Sequence, residues 1–183
     1  MGTSFRRQSI RVAVIFLAAT LAGCGSHFGR GKQKSTVPAG EVGSRLPDFT
    51  ANDLRGSGEF SSANLRGKVV IVDFWGTWCA PCKTEMPGYQ KLLDKYETQG
   101  LAVVGFKATM MADTEDPVKF AQTAGVRYPL AVATPGIVDK FGGLKGLPTT
   151  FIYGRDGILR QKIIGFEYTD QVEAYLKPLL QAR

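Results

Sequence analysis

Two runs of apolar, largely β-branched residues dominate the hydropathy pattern: Val69 to Val72, continuing through Phe74 and Trp75, and Leu101 to Phe106. Continuous apolar runs without polar alternation mark strands covered on both faces, so both are predicted as buried strands, the first of them central. Between them, Lys83 to Gln99 carries Met86, Leu92, Leu93 and Tyr96 at roughly helical spacing, with Gly100 as its stop. Further on, the pattern predicts a short helix over 116–124, with Pro117 in its first turn and Gly125 after it. An extended segment follows at Tyr128 to Val132, then a helical turn at Ile137 to Phe141. Two strands, 149–153 and 158–164, flank the hairpin signal Arg155-Asp156-Gly157. A closing helix over 170–180 places Val172, Tyr175, Leu176 and Leu179 on one face. Upstream, Leu46-Pro47-Asp48-Phe49 opens the folded part, and Leu54 to Leu65 holds Gly56, Ser57 and Gly58 between short extended stretches. Strands alternating with helices and ending in a hairpin give an α/β fold, a mixed central sheet covered by helices.

The first 44 residues do not fit that pattern. Met1 to Arg11 is short and basic, and Val12 to Ala22 is apolar. Such a run is too short for a bilayer core, which takes ~20 residues, but it has the layout of a secretory signal. Leu21-Ala22-Gly23-Cys24 resembles the lipobox of bacterial lipoproteins. That resemblance implies cleavage before Cys24 and acylation of its thiol and of the new amino terminus; several acyl chains anchor stably where one does not. Residues 25–44 are rich in Gly, Ser, Lys and Thr and read as a flexible tether. The expected division is a signal peptide over 1–23, a tether over 24–44 and a folded domain over 45–183.

Charge adds little to this. The formal net charge is +7, and removal of Arg6, Arg7 and Arg11 with the signal leaves 20 basic against 16 acidic residues. No basic stripe is interleaved with aromatics, which argues against nucleic acid; Arg30, Lys32 and Lys34 suit loose attraction to anionic lipid. His27, the only histidine, lies in the tether and reads as solvated, and with no other histidine and no second cysteine pair no zinc site is expected. No metal and no cofactor is expected. Met110-Met111 reads as packing rather than as a soft-metal site.

The chemistry concentrates where the first buried run ends, at Trp78-Cys79-Ala80-Pro81-Cys82. A helix N-terminus carries unpaired N–H groups and partial positive charge, which favour a thiolate over a thiol whose ordinary pKa is ~8.5. Two intervening residues put both sulfurs within reach of each other, so that Cys79, predicted to face solvent, attacks and Cys82 resolves the mixed disulfide. A purely structural bridge over so small a loop would gain little chain entropy. Pro81 falls in the first helical turn, where its missing N–H is harmless. Asp73 lies six residues before Cys79 on an otherwise apolar strand, where burial should raise its pKa.

Val72-Asp73-Phe74-Trp75 followed by Trp78-Cys79-Ala80-Pro81-Cys82-Lys83 resembles thioredoxin. Glu85 and Pro87 are similar to the membrane-tethered, extracytoplasmic TlpA/ResA-type branch, and Gly146-Leu147-Pro148-Thr149-Thr150-Phe151 resembles the family's cis-proline loop. The resemblance spans 43–180. It implies a thioredoxin-like fold with an N-terminal β-hairpin over Leu54 to Leu65, a redox disulfide between Cys79 and Cys82, and a cis bond before Pro148. It also implies that Trp78, Pro81, Leu147 and Pro148 receive the substrate, with Leu147 narrowing access. Asp73 would relay protons to and from Cys82. Glu85 would tune the pair or be a plain first-turn helix acid, and Lys107 would face Asp73. The Ala-Pro dipeptide is closer to reducing than to oxidising relatives. The implied function is reduction of protein disulfides by a lipid-anchored protein, on the periplasmic face in a Gram-negative cell. Apocytochrome c is the implied client and a membrane thiol electron donor the implied partner. An oxidase or isomerase of the same fold is the alternative. A peroxiredoxin-like peroxidase needs a Thr where Gly76 stands, and a copper-delivery protein needs wider Cys spacing and a distant His.

Overall fold

The computed structural model describes residues 1–2, 37–109, 113 and 115–182. Cys24, His27 and Met110-Met111 lie outside the described residues. The chain divides into two compact units, Met1–Gln33 and Lys34–Arg183, and the fold is that of the second. Among the described residues no helix is long and apolar enough to cross a membrane.

The two apolar runs form β3 (Val69–Trp75) and β4 (Leu101–Lys107), in which every residue is buried. They pair in parallel at the centre of a five-stranded sheet. On one side, β5 (Leu130–Val132) adds parallel to β4; on the other, β6 (Thr149–Tyr153) and β7 (Leu159–Ile164) add antiparallel, giving the order β5-β4-β3-β6-β7. Before the sheet stands an N-terminal hairpin, β1 (Thr50–Asn52) with β2 (Glu59–Ser61), followed by a 3-10 turn over Ser62–Leu65; its first strand lies upstream of the expected Leu54 to Leu65, whose start forms the turn instead. Asp53 fastens this hairpin to the sheet edge: its carboxylate accepts from the Arg55 guanidinium and from the Leu130 backbone N–H.

The helices are α1 (Ala80–Tyr96), α2 (Pro117–Thr123), α3 (Pro135–Lys140) and α4 (Thr169–Gln181). The short ones begin where their sequences cap them. The Asp116 carboxylate accepts from the Val118 and Lys119 N–H groups and the Thr134 hydroxyl from that of Ile137, each just before a Pro.

Strand pleating sorts β3 between two cores. Val69, Ile71 and Trp75 pack with Met86, Tyr89 and Leu92 of α1 and with Val172 and Leu176 of α4. Val70, Val72 and Phe74 point to the opposite face, into an aromatic cluster with Phe106, Phe141 and Phe151. There the Phe74 ring lies 5.1 Å from Phe141 and 5.4 Å from Phe106. Asp73 shares the parity of Ile71 and Trp75, so it faces α1.

Two expectations are corrected. The ordered chain begins before residue 45: Gly43 donates to the Leu159 carbonyl, the Leu159 N–H donates back to Ser44, and Gly40, at φ +73°, sits where a Cβ would be 1.9 Å from the Phe141 carbonyl oxygen. Backbone pairing along the β7 edge, rather than side-chain hydrophobicity, holds this segment, which is why composition reads it as tether. In α4 the buried row is Val172, Leu176 and Leu180, spaced by four, while Tyr175 is turned outward.

Helices α1 and α4 cross closely at Gly88, where a Cβ would stand 2.1 Å from the Thr169 hydroxyl oxygen. In a free helix interior Ala is more favourable than Gly by about 1 kcal/mol. Here Gly88→Ala is expected to lower stability, and adding Thr169→Ala to recover it, as read by urea denaturation. A stabilised single variant would show that the crossing tolerates the methyl group.

Candidate active site

The site forms where β3 hands over to α1. Cys79 is the N-cap of α1, in extended conformation, and its Sγ accepts a hydrogen bond of 3.3 Å from the Cys82 N–H. The two cysteines form a disulfide, with their Cα atoms 5.3 Å apart. Three residues of spacing put Cys82 in the first helical turn, and Pro81 fills a position there whose N–H would have no helical acceptor. The sequence predicts a solvent-facing Cys79; in the disulfide state it is only 4% exposed, while Cys82 is fully buried. The order of access is as expected and the degree is not, because the first helical turn and the loop before Pro148 close around the bridge.

That loop carries the cis Leu147–Pro148 bond. Leu147 packs on the core cluster that holds both cysteines, and with the Trp78 indole it brackets Gly76. A Cβ at Gly76 would lie 2.9 Å from Trp78 Nε1 and 3.5 Å from Leu147 Cδ1, so the Thr of a peroxidase would require the Trp78 indole to move. Trp78 itself is 43% exposed. The Pro148 carbonyl accepts from the Gly165 N–H, which ties the loop to the segment before α4. In that segment Phe166 and Tyr168, both exposed, stand edge to face with centroids 5.0 Å apart. The sequence reading misses this pair; aromatics flanking Glu167 just after a strand were the available signal.

Between β3 and the first turns of α1 two carboxyl groups are buried. Asp73 is fully buried and Glu85, one turn of α1 beyond Cys82, is 2% exposed. None of the four carboxyl oxygens makes a hydrogen bond of good geometry, yet the groups are close enough to influence each other, and the Thr150 and Tyr89 hydroxyls reach Asp73 and Glu85 respectively. Burial pushes the Asp73 carboxyl well above the usual carboxylate range, opposed by hydrogen bonding from Glu85 and Thr150. Burial also raises Glu85, further than Asp73, and the Asp73 charge adds to the effect, while the Glu167 backbone N–H opposes it. Two acids this close do not both ionise, so the pair retains a proton. Glu85 is therefore not a solvated first-turn acid.

Lys107 does not pair with Asp73. Its ammonium meets the Asp113 carboxylate, whose other oxygen accepts from the Thr77 hydroxyl. The register explains this: Lys107 lies opposite Trp75, two residues beyond Asp73, at the end of β4.

The AhpC/TSA family model matches residues 42–162. The thiol-disulfide oxidoreductase ResA of Bacillus thuringiensis subsp. konkukian is 35% identical over 140 residues, covering 76% of this chain and 79% of its own. That of Geobacillus kaustophilus is 31% identical and covers 95% and 97%. A thiol:disulfide interchange protein of the thioredoxin family from Chlorobium tepidum superposes with a TM-score of 0.68 at 29% identity, over 78% of this chain and 99% of that one. A Cys-x-x-Cys bridge at the start of α1 agrees with what these relatives are named for, and the chain belongs to the AhpC/TSA family as a thiol-disulfide oxidoreductase of the ResA type.

Proposed function

We propose that the chain is a reductase of protein disulfides, held on the outer face of a membrane by acylated Cys24, with apocytochrome c as a client. The observation that carries the catalytic reading is the helix-capping position of Cys79, whose sulfur already receives the Cys82 N–H. A thiolate there keeps that donor and the partial positive charge of the α1 N-terminus.

In the proposed reaction, the Cys79 thiolate attacks one sulfur of a client disulfide and expels a client thiolate. Cys82 then attacks the Cys79 sulfur, releases the second client thiolate and closes the Cys79–Cys82 bridge. The client gains two electrons and this chain loses them. Asp73 takes the proton of Cys82 as it attacks, and Glu85, holding its own proton, keeps Asp73 available as the base. Trp78, Pro81, Leu147 and Pro148 form the surface on which the client chain lies. In an oxidising compartment the dithiol must be regenerated, which calls for a thiol electron donor in the membrane.

The reduction potential of the Cys79–Cys82 couple tests the direction. A value near thioredoxin's ~−270 mV is expected, and one near ~−120 mV would instead make the chain an oxidant.

Cys24→Ser should leave the protein unprocessed or released from membranes, while thiol activity of the purified full chain stays at the wild-type level. Processing and membrane retention of that variant at wild-type levels would remove the lipid anchor from the proposal.

For Asp73→Asn, the first attack should proceed normally and the resolving step should slow by about 100-fold, the lower range for a general base. Stopped-flow insulin reduction across pH reads both steps. In wild type the resolving rate should rise with pH as Asp73 loses its proton, above the usual carboxylate range, and in the variant this limb should vanish. Stability supplies a second readout. The folded pair holds a proton that the unfolded chain releases above its ordinary pKa of ~4, so wild-type stability falls as pH rises from there towards the raised folded value. Asp73→Asn should therefore be as stable as wild type or more so at neutral pH, with the difference closing towards pH ~4. Superimposable rate profiles would make Asp73 a structural acid.

A further inference from the structure

The two carboxyls are joined by more than their own proximity. On α1, Glu85 and Tyr89 are four residues apart and share the inward face, both buried. On the sheet, Asp73 of β3 lies directly opposite Thr150 of β6, so their side chains rise side by side on the face that α1 covers. The gap between these two pairs is closed by one contact, Tyr89 Oη to Thr150 Oγ1, at 3.0 Å, in which either oxygen can be the donor. The four polar side chains thus lie together, with Tyr89–Thr150 as the hydrogen bond between the two pairs, in a layer otherwise lined by Ile71, Met86 and Ile152.

We infer that Tyr89 and Thr150 are positioning residues that form a reversible donor chain between the two carboxyls. When Asp73 carries the charge, Tyr89 donates to Thr150 and Thr150 donates to Asp73. When Glu85 carries it, both hydroxyls turn, so that Thr150 donates to Tyr89 and Tyr89 to Glu85. Each hydroxyl keeps its own proton, and no bond is made or broken. The chain lowers the energy of whichever carboxylate exists and leaves their neutral forms nearly untouched, which eases ionisation of a pair that burial opposes. The inference rests on the relay proposed above for Asp73.

The surroundings fit this role. Burial and the two carboxyl charges hold the Tyr89 phenol well above its ordinary pKa, so its proton is always present to donate. Of the other groups, the Tyr128 phenol feels both carboxyl charges and the Glu167 backbone N–H reaches Glu85. Arg55 acts on Tyr128, and Lys107 is taken by Asp113. From β4, Gly105 faces Asp73 with no side chain, so no cation is supplied there. Tyr89 and Thr150 are the donors whose own contact links the two carboxyl-bearing elements.

Carboxyl 13C NMR titration of the oxidised full chain, labelled at Asp and Glu, tests this. Tyr89→Phe and Thr150→Val should each raise the midpoint of the buried carboxyl titration by about one pH unit, the size of one hydrogen bond to a charged group. The double variant should shift little more than either single one, because each hydroxyl works through the other. Thr150→Ser, which keeps the hydroxyl, should titrate as wild type does. A Tyr89→Phe titration that overlays wild type, while Asp73→Asn abolishes the high midpoint, overturns the donor chain and leaves the relay standing. If Asp73→Asn leaves every carboxyl midpoint unchanged, the relay fails and the inference fails with it.

Discussion

A strand buried on both faces has no side on which a carboxyl can reach water. Pleating gives Asp73 the parity of Ile71 and Trp75, so it must point under α1 whatever its ionisation state. Burying a lone carboxylate is unfavourable enough that the group stays protonated or acquires partners. The fold does not answer this with a cation. It answers with a second acid, Glu85, and with hydroxyls from α1 and β6. The segment that hands the chain from β3 to α1 therefore fixes at once where the sulfurs sit, which donors they meet and how readily a proton can be taken up under α1.

This arrangement joins the two halves of the site. The cysteines belong to the start of α1, and the cis-proline loop belongs to the start of β6. Their backbones are connected through the sheet, and Tyr89 of α1 touches Thr150, two residues after Pro148. On the outer side, the Pro148 carbonyl holds Gly165, and the loop that follows brings the Glu167 N–H to Glu85. Gly88 lets α4 come close enough to α1 for that loop to sit there. A client chain lying on Trp78 and Leu147 would thus rest on elements that also contact the buried acids.

The sheet was readable from the sequence because its two central strands depend on local composition: a run such as Val-Val-Ile-Val is stable only when covered. The caps at Asp116 and Thr134 and the turns at Gly100 and Gly157 are equally local signals. What escaped reading depends on register between distant segments. Whether Glu85 faces water or the sheet is decided by how α1 is rotated on β3, and no residue near Glu85 encodes that. Lys107 could be placed at the end of β4, but its choice of Asp113 over Asp73 turns on a two-residue offset between neighbouring strands. Residues 37–44 look like tether because they hold their place with backbone groups, which composition does not report. Tyr89 and Thr150 each look like ordinary core residues, and only the facing of helix on sheet makes them a pair.

A neutral amide in place of either acid would remove the burial penalty, and replacing buried charge by uncharged groups of similar volume is often neutral or stabilising. The fold would lose nothing it needs for packing, since the same apolar neighbours would enclose the amide. What it would lose is a group under α1 that can change its protonation state. One acid alone, raised by burial, would be neutral through most of the working range and a poor base. Two acids sharing a proton behave differently, because the charge can rest on either and the hydroxyls can turn to meet it. On the proposed relay, the two buried acids lower stability and in return keep a titrating group in a place where solvent cannot supply one.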